Sequence, residues 1–312
     1  MPSRRRRGRA IPDLEIIRAG AIAREVLADP GECQVLATFR DRTFVACPRG
    51  IVCLGGAGLT HGPINVEVRC EGGWAKVGLM VEDEGVLDGE TLAIEDKIRL
   101  ETQAGATWTP PAMPAGDAGA RAGGLAHLNP GATRARPDDG RSPLIVPSGS
   151  NAPHGLFARG ATGPLADLQV ALSPSMDKRE MRPLLSRAAT LLIGLGPGFM
   201  PSGDCLLAGV MLGLTATGRR RLRDALWQTL EPELGDLTTA PSAMTLSAAA
   251  DGMTPVPVHL LLNSILDADT RAITHALHAC AELPDTSGWD MMAGLALCLQ
   301  SHTREAPPAS TE

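Results

Sequence analysis

The residues best suited to chemistry lie in one short run, Gly194-Leu195-Gly196-Pro197-Gly198-Phe199-Met200-Pro201-Ser202-Gly203-Asp204. An apolar helical pattern precedes it, and another follows through Leu206, Leu207, Val210, Met211 and Leu214. A glycine-rich turn feeding a helix start offers backbone N–H groups to an anion. The missing side chains let a ligand approach the chain closely. Ser202 reads as an N-cap, and Asp204 falls in the first turn, where a carboxylate complements the helix dipole. The run lacks the Gly-Lys-Ser/Thr ending of the phosphate loop, and an ionised Asp204 opposes an anion unless a metal or an arginine intervenes. A tight helix–helix turn with a capping serine is the other reading of the same residues.

A second copy follows 85 residues later. Ser287-Gly288-Trp289-Asp290-Met291-Met292-Ala293-Gly294 parallels Ser202-Gly203-Asp204-Cys205-Leu206-Leu207-Ala208-Gly209. Both read Ser-Gly, four residues, Ala-Gly, then apolar helix. If the two helix starts face each other, they form one N–H-rich pocket with Asp204 and Asp290 opposed across it. Between them, Thr238-Thr239-Ala240-Pro241-Ser242 is either a helix cap at Thr239 or Ser242 or a third source of hydroxyls for that pocket. The candidate substrate- or anion-binding set is therefore Gly194, Gly196, Gly198, Ser202, Gly203, Asp204, Thr239, Ser242, Ser287, Gly288 and Asp290. No acid, base or nucleophile is assigned among them. His275 and His278 stand at i, i+3 without a third ligand of suitable spacing, so no metal site and no cofactor is evident.

The elements that must position these residues differ between the two halves of the chain. Ile16, Ala19, Ala23, Val26 and Leu27 share one helical face within 11–31. From Gln34 onward short β-rich runs alternate with polar or glycine residues; Ile64 to Cys70 alternates strictly, and Trp74 to Leu79 after Gly72-Gly73 reads as the second strand of a hairpin. Residues 11–108 are thus expected to form a small antiparallel sheet or barrel. Residues 109–153 contain 8 Pro, 7 Gly and 9 Ala with few large aliphatics, a composition expected to stay a flexible insertion or linker. Residues 154–302 carry helical stripes: Met181, Leu184, Leu185, Ala188, Leu191 and Leu192; Leu222, Leu226 and Leu230; Leu260, Leu261 and Ile265; Ala272, Ile273, Ala276, Leu277 and Cys280. The fold class is α+β, a β-rich N-terminal domain followed by a mostly α-helical one, between a basic tail at 1–10 and a polar tail at 303–312.

Composition removes several functions. Net charge is −6 even though Arg4, Arg5, Arg6, Arg7 and Arg9 sit at the start, so the rest of the chain is more acidic still and suits neither phosphate polymers nor anionic membranes. Tyr is absent, with four Phe and four Trp, which argues against stacking platforms for single-stranded nucleic acid. Leu191 to Leu214 is apolar enough to resemble a membrane span, but Pro197, Pro201 and Asp204 interrupt it. No apolar leader follows the arginines, and the seven cysteines form no CxxC. A cytoplasmic protein with mostly buried thiols is expected.

The run Gly194-Leu195-Gly196-Pro197-Gly198, then Pro201-Ser202-Gly203-Asp204 and Leu207-Ala208-Gly209, resembles the signature of a bacterial family that includes the AllH-like subunit of oxamate carbamoyltransferase, from anaerobic allantoin breakdown. The resemblance extends to Thr238-Thr239, Ser242, Gly252, Pro257, Thr286-Ser287-Gly288, Asp290 and Ala293-Gly294, and to His61-Gly62-Pro63 in the N-terminal half. It implies a subunit of a hetero-oligomeric complex that passes a carbamoyl group between oxalurate with phosphate and oxamate with carbamoyl phosphate. The partners implied are a small anionic substrate and the other subunits of that complex, not nucleic acid or membrane. A non-catalytic small-molecule-binding or assembly subunit of the same fold is the alternative. The family usually carries Leu-Thr where this chain has Phe199-Met200, a second Asp where it has Cys205, and a Gly-His pair near Pro284 and Asp285.

Overall fold

The computed structural model describes residues 11–114, 116–135, 156–173 and 175–303. The arginine-rich start at 1–10, residues 115, 136–155 and 174, and residues 304–312 lie outside these. The chain divides at Thr109–Pro110 into two compact units.

The first unit is a closed barrel. Its strands are β1 (Asp13–Gly20), β2 (Gly31–Thr38), β3 (Arg42–Cys47), β4 (Gly50–Gly55), β5 (Asn65–Arg69), β6 (Glu84–Leu87), β7 (Thr91–Ile94) and β8 (Ile98–Glu101). Their order is β5-β4-β3-β2-β6-β7-β8-β1, and β1 also pairs with β5, closing the ring. An extra strand, β9 (Ala106–Trp108), runs parallel to the second half of β1. Most pairings are antiparallel, as expected, but β4–β5 and β1–β8 are parallel as well. Every second residue points inward: Val66, Val68, Leu87, Leu92, Ile94, Ile98 and Leu100 are buried while their neighbours are not. That two-residue period lets a small barrel fill its own interior with branched side chains.

Two local expectations are corrected here. Ile16, Ala19, Ala23, Val26 and Leu27 are all buried, but only the last three lie in a helix, α1 (Ala21–Leu27), while Ile16 and Ala19 lie in β1. Closure of the barrel demands a strand at 13–20, since β1 pairs with β5, β8 and β9; this tertiary demand overrides the helical spacing. Trp74 to Leu79 is not a strand. Trp74–Lys76 forms a 3₁₀ turn, because the Trp74 ring is buried and its indole N–H donates to Thr43 Oγ1 at 3.0 Å.

The second unit is helical. It comprises α2 (Ala118–Ala135), α3 (Leu156–Ala171), α4 (Lys178–Leu192), α5 (Ser202–Ala216), α6 (Arg220–Leu230), α7 (Leu234–Leu237), α8 (Ala240–Ala250), α9 (Val256–Leu266), α10 (Thr270–Ala281) and α11 (Ser287–Thr303). No helix of the described residues is long and apolar enough to cross a membrane. The predicted stripes face the core, except that Leu191 and Leu260 are exposed. The stretch 109–153 departs from its expected flexibility over 118–128. There α2 packs on α9, α10 and α11, Leu125 and Leu128 are buried, and a Cβ at Gly124 would lie 2.3 Å from the Ile265 carbonyl oxygen. Small residues bury area by letting backbones touch, which a count of large aliphatics overlooks.

Helix α5 is the axis of this unit. Every residue from Gly203 to Leu214 is buried, as an all-round apolar helix requires. Its most extensive neighbour is α11. A Cβ at Gly209 would fall 1.9 Å from the Met291 carbonyl oxygen, and a Cβ at Gly294 would fall 1.9 Å from the Leu206 carbonyl oxygen. The contact is reciprocal, and the 85-residue offset is kept on both sides. Farther along, Gly213 meets Cys298, so the two helices run parallel with their N-terminal ends side by side. The same symmetry extends outward: Gly203 abuts the Leu192 carbonyl at the end of α4, and Gly288 abuts the Cys280 carbonyl at the end of α10. The Ser-Gly…Ala-Gly repeat is therefore a structural duplication of helix–turn–helix units.

A methyl group at Gly209 or Gly294 has only rigid backbone to displace. Gly209→Ala and Gly294→Ala are each expected to lower stability in urea unfolding by about 2–3 kcal/mol or more. Gly235→Ala in α7, where the added Cβ meets open space, is expected to be neutral or stabilising by up to about 1 kcal/mol.

Candidate functional site

The paired starts of α5 and α11 bring the sequence candidates together. Ser202 Oγ lies 3.4 Å from Thr286 Oγ1, and Thr286 Oγ1 donates to Asp290 Oδ2 at 2.7 Å. Two parallel helix N-termini side by side add their partial positive charges. The first-turn acids Asp204 and Asp290 are both buried there, and each complements that charge only where it is ionised.

Asp204 is the hub. Its Oδ1 accepts the Gly194 N–H at 2.7 Å. Its Oδ2 accepts the Ser242 hydroxyl at 2.6 Å and the Thr238 hydroxyl. One side chain thus ties the turn after α4, the start of α5 and the start of α8 to each other. Thr239 is the N-cap of α8, accepting from Ser242 N–H, and its hydroxyl donates to the Phe199 carbonyl at 2.7 Å. The capping reading of this hydroxyl segment holds at Thr239, and the same hydroxyl ties the segment to the glycine turn. Burial pushes the Asp204 carboxyl above the ordinary carboxylate range, against three donors that pull it down.

Asp290 is less satisfied. Its Oδ1 has no hydrogen-bond partner among the described residues. Burial pushes its pKa up to about 7, with the hydroxyls of Thr286 and Ser202 opposing the shift. A buried carboxyl with one bare oxygen is cheaper neutral than charged. Between the two acids, the Cys205 thiol is fully buried. Burial pushes it well up, and the charges of Asp290, Asp204 and Asp285 add to this.

Three details differ from the sequence reading. Ser202 is not the N-cap of α5; Pro201 takes that place and no side chain caps the helix. Ser287 is likewise the first residue of α11, and its hydroxyl donates to the Pro284 carbonyl at 2.7 Å. After Ser202, the first-turn amides of α5 are engaged: Gly203 N–H donates to Leu195 O at 2.8 Å, and those of Asp204 and Cys205 donate to Pro201 O. The open donors lie in the turn instead. Among the described residues no acceptor meets the amides of Gly196, Gly198, Met200 or Ser202, and none of these four residues is buried.

The turn owes its shape to Gly194, which sits at φ +68° with its Cα against the Leu237 carbonyl, where a Cβ would approach to 1.9 Å. Gly196 lies over the Ser202 amide, and Gly198 faces open space. Gly203 and Gly288 serve helix packing, as described above. Thr238 and Thr286 stand outside the candidate set yet hold both carboxylates; the available signal was a hydroxyl immediately before each capped or Ser-Gly start. His61 lies elsewhere, in the barrel, 3.2 Å from Glu67 Oε2 and 2.8 Å from Arg18 Nη1. His275 and His278 are exposed on α10, and no group of three metal-ligating side chains occurs among the described residues.

The helical unit is thus defined by a duplicated glycine-rich helix start built around two buried carboxyls. Residues 192–299, about a third of the chain, match the family model described as oxamate carbamoyltransferase subunit AllH. This segment is AllH-like, and it contains every candidate site residue from Gly194 to Asp290. No curated protein and no solved structure matches the chain.

The Asp290 carboxyl makes stability depend on pH. A folded-state pKa raised to about 7 from 3.8 means that the native state holds the proton more tightly. The stabilisation is full below about pH 4 and is lost as pH rises through 7, by up to about 4 kcal/mol at ~1.4 kcal/mol per tenfold in proton affinity. Asp290→Asn mimics the neutral acid. Melting temperatures of the variant from pH 5 to pH 8 are expected to fall less than those of the parent, and the variant is expected to be the more stable at pH 8. Parallel profiles would show that Asp290 is ionised throughout.

Proposed function

We propose that this chain is a subunit of an oxamate carbamoyltransferase-like complex, with the glycine turn at 194–202 holding a small anionic substrate. The observation that carries this reading is the family match, which spans both copies of the glycine-rich helix start. The geometry supports it in two ways. The amides of Gly196, Gly198, Met200 and Ser202 are donors in a partly exposed turn beside two helix N-termini, the surroundings that favour phosphate and carboxylate oxygens. The nearby acids also oppose an anion less than their number suggests. Asp204 is covered by three donors, and Asp290 is neutral below about pH 7. In this reading the protein acts by orientation and charge stabilisation during carbamoyl transfer between oxalurate with phosphate and oxamate with carbamoyl phosphate.

One observation favours an assembly or non-catalytic binding role on the same fold. Where the family usually has a second Asp, Cys205 is fully buried and its thiol is held neutral, so a charge has been lost beside the turn.

The two readings separate in one experiment. The chain is co-expressed with its neighbouring-gene subunits, and carbamoyl phosphate formation from oxalurate and phosphate is measured for the parent and for Ser202→Ala. Loss of one hydroxyl donor at a substrate anion is expected to lower kcat/KM about tenfold with complex assembly and melting temperature unchanged. An assembled, active complex indifferent to Ser202→Ala would leave the assembly role. A complex that forms without any carbamoyl transfer would remove the catalytic one.

A further inference from the structure

Away from the glycine turn, where α5 and α11 end, a cleft of about 1020 Å³ opens. Arg182 of α4, Arg219, Arg220 and Arg221 at the start of α6, and His302 of α11 line it, with Met176, Met181 and Leu222 supplying apolar surface. Among the described residues its one lining carboxylate, Asp224, is already paired with Arg223 at 2.7 Å. Arg219 is partly occupied, donating to the Leu172 carbonyl at 2.7 Å. Arg182 has only a 3.4 Å contact with Gln228. Among the described residues Arg220 and Arg221 have no counter-ion.

The placement of these arginines runs against local electrostatics. A helix N-terminus favours carboxylates and disfavours cations. Helix α6 has no acidic residue in its first turn and no side-chain cap, and it begins Arg219-Arg220-Arg221. Positions that break a local rule are expected at functional or strained sites. A bound anion would supply the missing compensation for the three guanidinium groups and the helix start together. The cleft is at the upper end of the roughly 300–1,000 Å³ of small-molecule sites, more than a single orthophosphate fills.

We infer that this cleft binds a small molecule carrying two or more linked phosphates and a less polar body. The phosphates sit between Arg182, Arg220 and Arg221 at the α6 N-terminus, where guanidinium forks suit phosphate oxygens. The body rests on Met176, Met181 and Leu222. The site is separate from the glycine turn and does not depend on the function proposed for it.

Calorimetric titration of the full chain with pyrophosphate, tripolyphosphate and ATP tests this, with orthophosphate as comparator. Saturable binding of at least one linked phosphate is expected, tighter than orthophosphate. Arg220→Ala/Arg221→Ala, which removes two exposed side chains without partners, is expected to weaken it at least tenfold. Arg49→Ala/Arg271→Ala removes the same charge from exposed positions elsewhere and is expected to leave binding unchanged. Three results would overturn the inference: no saturable binding of any linked phosphate, equal weakening by the control pair, or binding lost in Ser202→Ala but kept in Arg220→Ala/Arg221→Ala.

Discussion

The backbone-to-backbone contact of α5 and α11 governs the helical unit. Gly209 rests on the Met291 carbonyl and Gly294 on the Leu206 carbonyl, and neither place has room for one carbon more. Such an approach sets the register of two parallel helices along their whole length. It brings Ser202 beside Thr286 at one end and Gly213 beside Cys298 further on. It also gathers two helix N-termini into one small volume, with a buried acid in the first turn of each.

Those acids divide the labour. Asp204 joins three segments that are distant in sequence through Gly194, Thr238 and Ser242. Such a fully bonded carboxylate is a fastener, and its loss would strand three donors in a poorly solvated place. Asp290 retains a bare oxygen and a pKa near neutrality. The 85-residue offset does not pair these acids with each other: it sets Asp204 against Trp289 and Asp290 against Cys205, so each half of the duplication carries one first-turn acid at its own position. The glycine turn, held by Asp204 through the Gly194 amide and by Thr239 through the Phe199 carbonyl, is left with four amides that no acceptor meets among the described residues.

Much of this was legible before any coordinates. The 85-residue repeat, the small residues within it and the first-turn acids could all be read from spacing. So could the division into a β-rich and a helical part. Other features could not. Residues 13–20 carry a helical spacing yet form a strand, since hydrogen bonding to three other strands outweighs a short apolar pattern. Trp74 was read as a strand residue, but its ring needed a buried site with an acceptor for its N–H, which Thr43 provides from a strand 31 residues earlier. The segment around Gly124 looked too poor in large side chains to order, though glycine allows the helix to settle directly on the Ile265 carbonyl.

By itself, then, the sequence determined which residues repeat, which faces are apolar and, at the two Ser-Gly motifs, where a helix begins to within a residue. These depend on local periodicity and on short-range conformational preference. Only the tertiary structure decided which donors are left open. Whether an amide at 196 or one at 203 is free depends on whether a carbonyl from another segment reaches it, and Leu195 reaches Gly203. Whether Asp204 or Asp290 keeps a spare oxygen depends on hydroxyls brought from dozens of residues away. Hydrogen bonds of that kind are settled by packing in three dimensions, and no spacing along the chain encodes them.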